Sequence, residues 1–156
     1  MSITNDMLNA ILLSLENDFP NINKYIENVE QGFKTPCFFI NFLNYNKENL
    51  NESDRFLREK ETIDIQVVYF PKEEIDRRTE KRQIANIIPS LTRCVEYIEL
   101  YDKKIRANSS KTVIVDDTAQ VLVSFDFNTA RRFRKNFMDR LEQIGGNFIW
   151  KITIKF

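Results

Sequence analysis

The stretch Thr62-Ile63-Asp64-Ile65-Gln66-Val67-Val68-Tyr69-Phe70-Pro71 decides the fold class. Ile63, Ile65, Val67 and Tyr69 alternate with Thr62, Asp64, Gln66 and Val68, the period of two that a strand shows when one face is buried. Pro71 closes the run, because it has no N–H to give to a ladder. Just upstream, Cys37-Phe38-Phe39-Ile40-Asn41-Phe42-Leu43-Asn44-Tyr45 reads as a partner strand. Phe38, Ile40 and Phe42 fall on one face, and Phe39, Asn41 and Leu43 on the other. A strand so apolar on both sides is expected to be covered on both sides, by a helix and by something else. Between the two strands, residues 46–54 (Asn-Lys-Glu-Asn-Leu-Asn-Glu-Ser-Asp) are polar and read as a flexible hairpin tip.

Toward the N-terminus, Leu8, Ile11, Leu12, Leu15 and Phe19 recur at helical spacing, which predicts an amphipathic helix over residues 2–19. Asn5 is its expected N-cap, Asp6 suits the positive end of the helix dipole, and Phe19-Pro20 ends it. Residues 24–29 then suit a short strand and residues 30–36 a loop. Toward the C-terminus, Ile75, Ile84, Ile87, Ile88, Leu91, Val95 and Ile98 fit a helical period over 72–99, with charges clustered at 72–82. Pro89 interrupts it, predicting a kink or two shorter helices. A meander follows, with strands at 97–100 and 104–107 about a turn at Asp102-Lys103, and strands at 111–115 and 120–127 about residues 116–119. Residues 130–143 are basic and then amphipathic, Gly145-Gly146 is a break, and 148–156 alternate like a last strand. The expected class is α+β, a mainly antiparallel sheet with an N-terminal helix and a kinked central helix packed on it. A length of 156 residues suits one domain over 1–156, with 128–156 as a C-terminal extension.

Composition narrows the function classes. Lys plus Arg number 23 and Asp plus Glu number 23, so no global field draws the chain to nucleic acid or an anionic membrane. No apolar run approaches the roughly 18 residues of a spanning helix, and the N-terminal charge pattern does not fit a signal peptide. Histidine is absent, which removes the usual acid/base group of neutral pH and the commonest metal ligand. Three glycines are too few for a phosphate-cradling loop as well as the turns. Cys37 and Cys94 each sit in apolar context and read as two buried thiols in a reducing compartment. Thirteen phenylalanines are many for so small a core, which points some of them to subunit contacts.

Each candidate for chemistry has a plainer reading beside it. Asp102, Asp116, Asp117 and Asp126 lack the spacing and the glycine of a calcium loop and read as hairpin-turn residues. Glu61 and Asp64 are a conceivable acid pair, but read better as side chains on the wetter face or edge of a strand. Arg131, Arg132, Arg134 and Lys135, interleaved with Phe133 and Phe137, suit a subunit contact, a solvated face or phosphates. Gln31-Gly32-Phe33 either presents an aromatic ring or folds it back over helix and sheet; the residues leave both open.

The order of motifs is itself informative. A helix ending in Asn17-Asp18-Phe19-Pro20 is followed by Lys24-Tyr25-Ile26-Glu27-Asn28-Val29-Glu30-Gln31-Gly32-Phe33 and then by Lys34-Thr35-Pro36-Cys37-Phe38-Phe39-Ile40. Next come Val68-Tyr69-Phe70-Pro71, a long helix, and Tyr97-Ile98-Glu99-Leu100 leading into paired strands. Over residues 3 to 127 this resembles the tail terminator family of tailed phages and of phage-tail-like bacteriocins from Gram-positive bacteria. The resemblance implies a structural protein with no catalytic, cofactor or metal site. It implies a ring, usually a hexamer, on the last ring of the tail tube. Its partners would be its own copies, the tube protein, a sheath and a head-side connector or cap, with no membrane and no sequence-specific nucleic acid. Its place would be the virion tail or a phage-tail-like particle, after assembly in the host cytoplasm. The residues singled out for subunit or tube contact are Gln31, Phe33, Asn46, Asn49, Asn51, Arg131, Arg132, Phe133, Arg134 and Phe137. A different class of function, a small nucleic-acid-binding or regulatory domain, would use the basic-aromatic segment 131–137.

Overall fold

The alternating run that opened the reading is the central strand of a five-stranded sheet. The computed structural model describes residues 3–27, 32–52, 56–74 and 76–132. In chain order the elements are α1 (Ile3–Asp18), β1 (Asn23–Ile26), β2 (Cys37–Glu52), β3 (Phe56–Phe70), α2 (Arg77–Glu96), β4 (Tyr97–Leu100), β5 (Lys103–Arg106), β6 (Ser109–Val115) and β7 (Thr118–Arg132). The large sheet runs β1-β2-β3-β7-β6, and β4-β5 form a separate two-stranded sheet. Pairing is parallel between β1 and β2 and antiparallel between β6 and β7. The class is α+β with a mostly antiparallel sheet, as its residues predicted.

Two compact units divide the chain. The first comprises Met1–Tyr45 and Thr62–Asp126, the second Asn46–Glu61 and 127–156. The first holds the main core. Phe38, Ile40, Ile63, Ile65, Val67, Tyr69, Val121, Val123 and Phe125 are buried along the strands, with Met7, Ile11 and Leu15 of α1 and Ile84, Leu91 and Val95 of α2. Fully burying such a side chain stabilises the fold by roughly 1.5–3 kcal/mol each. The two helices lie on the sheet face that these residues share: Phe19 packs on Phe38 at 5.3 Å between ring centroids, and the Thr92 and Thr112 hydroxyls are 3.3 Å apart. The opposite face carries an amide row, in which Asn41 Nδ2 donates to Gln66 Oε1 and Gln66 Nε2 donates to Gln120 Oε1. At one end of that face Cys37, Phe39 and Val68 form a small second core with Tyr25 and Phe70.

Several boundaries differ from the sequence reading. The polar residues 46–52 belong to strand β2, and only 53–55 between β2 and β3 lie outside the described residues. With Leu50 as the one apolar residue among 46–52, the segment shows no alternation, so its pattern cannot separate it from a loop. Helix α1 starts at Ile3, which puts Asn5 in the first turn and not at the N-cap. Helix α2 starts at Arg77, not at 72. Asp76 is its N-cap, in extended conformation, and its carboxylate accepts the Arg78 N–H at 2.9 Å. Pro89 lies inside one continuous helix, so the two-helix alternative does not hold. The turns are tighter than expected. Leu100 pairs with Lys103 and Val115 with Thr118, leaving Tyr101-Asp102 and Asp116-Asp117 as two-residue loops with φ of 52°, 61°, 47° and 58°. Positive φ at both central positions gives the twist that matches right-twisted strands.

Candidate interaction surfaces

Burial pushes the Cys37 thiol up to about 11 and the Cys94 thiol up to about 12, and neither is in a disulfide. Both read as inert packing thiols, as the sequence suggested. Asp102 and the Asp116-Asp117 pair sit in separate hairpin turns, while Asp126 accepts a hydrogen bond from Thr62 at 2.9 Å. No group of three or more acidic or thiol side chains is placed to hold a metal ion among the described residues. Glu61 is a correction: it is buried, not on a wet face, as is Glu59, whose carboxylate lies 3.0 Å from Lys47 Nζ. Tyr101 is held above its ordinary value by its hydrogen bond to the Asp6 carboxylate, a tie between the β4–β5 turn and α1.

What the described residues do present is surface. Phe33 is 40% exposed, yet its ring lies 5.4 Å from Phe39 and 5.7 Å from Phe70. The ring therefore folds back over the small second core of the sheet, and the neighbouring Gln31 lies outside the described residues. Asn46 and Asn49 are exposed on β2, and Asn51 is on the same strand. Arg131 and Arg132 end β7, and Phe133, Arg134 and Phe137 lie outside the described residues. The second unit thus brings together Asn46, Asn49, Asn51, Arg131 and Arg132, whereas Phe33 belongs to the first.

The sequence reading missed two further surfaces. One is the middle of β2, where Phe42, Leu43 and Tyr45 are 37%, 49% and 40% exposed although four residues earlier the same strand is fully covered. Strand β1 pairs with residues 37–40 and ends at Ile26, so it does not run beside Phe42 and Leu43. Glu27, at φ 62°, follows the end of β1 and donates its N–H to the Ile40 carbonyl at 2.8 Å. The other is α2, whose exposed side carries Arg77, Arg78, Lys81, Arg82 and Arg93. Phase along the helix would have revealed that stripe, but the cluster at 72–82 reads as mixed charge until the helix start is known.

Comparison with known proteins gives the context for these surfaces. No curated protein matches the chain. Among solved structures, one whose name states no function is similar over 86% of this chain and 100% of its own, at 13% identity and a TM-score of 0.37. A family model described as phage tail terminator protein matches residues 6–136, most of the chain. With a sheet-and-helix domain that offers faces for contact and with the family match spanning α1 through β7, the chain belongs to the phage tail terminator family, a family of structural proteins of the phage tail.

Proposed function

We propose that copies of this chain close into a ring, a hexamer, at the head-proximal end of a tail tube, and that the ring stops tube and sheath growth. The observation that carries this reading is the exposed apolar middle of β2, where Phe42 and Leu43 lie beyond the reach of β1. A strand edge with apolar side chains is a template for association, and soluble monomers normally blunt it with charge, proline or a bulge. Residues 42–45 carry neither charge nor proline. A ring of identical copies uses heterologous contacts that close by rotation. Termination then follows from asymmetry: one face matches the exposed tube end, and the other lacks the surface that would seat another tube ring. That second face receives a head-side connector, or a cap in a headless particle of the bacteriocin kind. Assembly takes place in the host cytoplasm, with the finished ring in the particle's tail.

The β2–β3 hairpin over 46–54 and the segment 131–137 make the tube and neighbour contacts in this reading, through Asn46, Asn49, Asn51, Arg131, Arg132, Phe133, Arg134 and Phe137, with Gln31 and Phe33 at a further contact. Negative-stain microscopy of the protein alone and with tube protein tests it, together with tail lengths after each truncation. Rings capping tubes, and overlong tails on truncation, are expected. Tails of normal length from both truncations would remove these contacts, and a protein that never caps tubes would remove the function. A gel shift with duplex DNA at physiological salt addresses the nucleic-acid reading of 131–137, which requires binding that weakens steeply as salt rises.

A further inference from the structure

The basic stripe on α2 begins where the helix dipole least favours it. Arg77 and Arg78 are the first two residues of the helix, and Lys81 and Arg82 lie one turn on. The positive end of the helix dipole disfavours Arg77 and Arg78, whereas Lys81 and Arg82 lie beyond its first turn. Arg78, Lys81, Arg82, Ala85, Asn86, Pro89 and Arg93 are exposed, and their spacing puts them on one side of the helix. The two acids of α2 do not neutralise that side. Glu80 accepts the Glu74 N–H at 3.0 Å, and Glu96 pairs with Arg106 at 3.2 Å. Glu73, Glu74 and Asp76 precede the helix, and none forms an ion pair with its cations among the described residues.

A second feature carries the opposite charge. The β6–β7 turn holds two adjacent aspartates, Asp116 and Asp117, in left-handed conformation, which short polar turn residues adopt readily, so the turn itself does not call for any particular partner for their charge. Both are exposed, and beside them Ile114 and Val115 are 60% and 40% exposed. Among the described residues, the turn's side-chain hydrogen bond is local, from Thr118 Oγ1 to the Val115 carbonyl at 2.6 Å. The β4–β5 turn, equally left-handed, is instead tied to α1 through Tyr101 and Asp6. Neither Asp116 nor Asp117 forms an ion pair with the α2 cations of its own chain among the described residues. Exposed charges of opposite sign on two separate patches, without ion-pair partners among the described residues, suit a contact made with another molecule.

We propose that the acidic, apolar tip of the β6–β7 hairpin of one copy docks on the basic N-terminal half of α2 of a second copy. The occupant is set by charge: Asp116 and Asp117 meet Arg78, Lys81 and Arg82, while Ile114 and Val115 cover the stems of those long side chains. Tip and stripe are different patches, which is what a head-to-tail contact requires. The inference rests on the ring reading and gives it a surface.

The test uses the full chain with tube protein as template, at low and high salt, and reads assembly by mass photometry. Asp116→Lys with Asp117→Lys, and separately Arg78→Glu with Arg82→Glu, are each expected to weaken ring formation at least about tenfold, because like charges then face each other. The four-fold variant restores assembly, and the wild-type ring loosens as salt screens the contact. Unchanged circular dichroism and melting keep the loss from being misread as unfolding. A second test mixes Asp117→Cys copies with Arg82→Cys copies under oxidation, the native thiols being buried. Cross-linked dimers should form in the mixture and not from either variant alone. Rings that survive both reversals, or a mixture without cross-links, overturn the docking and leave the ring reading standing. Wild-type protein that forms no ring with or without tube protein overturns both. Loss of DNA retention on Arg78→Glu with Arg82→Glu, with rings intact, gives the stripe to nucleic acid and also overturns the proposal.

Discussion

Two halves of the same strand behave as if they belonged to different proteins. In β2, residues 37–40 are buried on both faces: Phe38 and Ile40 against the helix side, Cys37 and Phe39 under Tyr25, Phe33 and Phe70. Residues 42, 43 and 45, of the same chemical type, stand 37–49% exposed. Composition does not separate them. What does is what packs on each: Phe19 lies over Phe38, and Tyr25, Phe33 and Phe70 lie over Cys37 and Phe39. Apolar character states that a surface will be covered, and leaves open whether the cover comes from the same chain or from another copy.

The difference is easiest to break in the covered half. Phe38 has no exposed surface and meets both Phe19 and Tyr69 at 5.3 Å between ring centroids. Phe38→Ala leaves a cavity between α1 and the sheet and should cost about 3–5 kcal/mol, read as a lower midpoint in urea. A cost below about 1 kcal/mol would mean that this half is not the core. Cys37 gives a second handle on the same half. Its thiol is raised from 9.0 to about 11 by burial, so folding favours the neutral form. Stability from this group is fully present below pH 9 and is lost as pH climbs through about 11, since the unfolded chain releases the proton first. The advantage of wild type over Cys37→Ala should therefore shrink between pH 9 and 11 in denaturant titrations. A constant difference would contradict the burial.

The lid over this half is worth less. The Phe33 ring touches Phe39 and Phe70 while 40% exposed, and such aromatic pairs contribute about 0.5–1.5 kcal/mol beyond burial. Phe33→Ala should accordingly lower stability by roughly 1–2 kcal/mol in the same assay. An unchanged midpoint would return the ring to the presented-aromatic reading.

How much of this was legible depended on which force set each feature. The course of β3 was plain because one face is buried, and burial writes a period of two into the sequence. Cys37 and Cys94 were legible as packing thiols from their apolar context. Strand residues 46–52 were not, since a ladder needs only backbone groups and leaves no mark on polar side chains. The start of α2 was hidden because the cap is a single residue, Asp76, within a run of charges. Glu61 was misread because a strand's pattern gives the face of a residue and not what covers that face. The exposure of residues 42–45 was unreadable for a related reason. It depends on what packs over each face, which residue type alone does not state.

The smallest expected change in stability is the most telling about function. Leu43 is 49% exposed on a strand edge that β1 does not cover, so Leu43→Ser removes little packing and should shift folding by no more than about 0.5 kcal/mol. If the open middle of β2 is covered only by a second copy or by the tube, the same substitution puts a hydroxyl where an apolar contact belongs. Melting should then be unchanged while the fraction of protein in rings on a tube template falls. A fall in both would make residues 42–45 an extension of the monomer's own core. A fall in neither would leave this patch outside any interface, with the basic stripe of α2 and the β6–β7 tip as the surfaces to pursue.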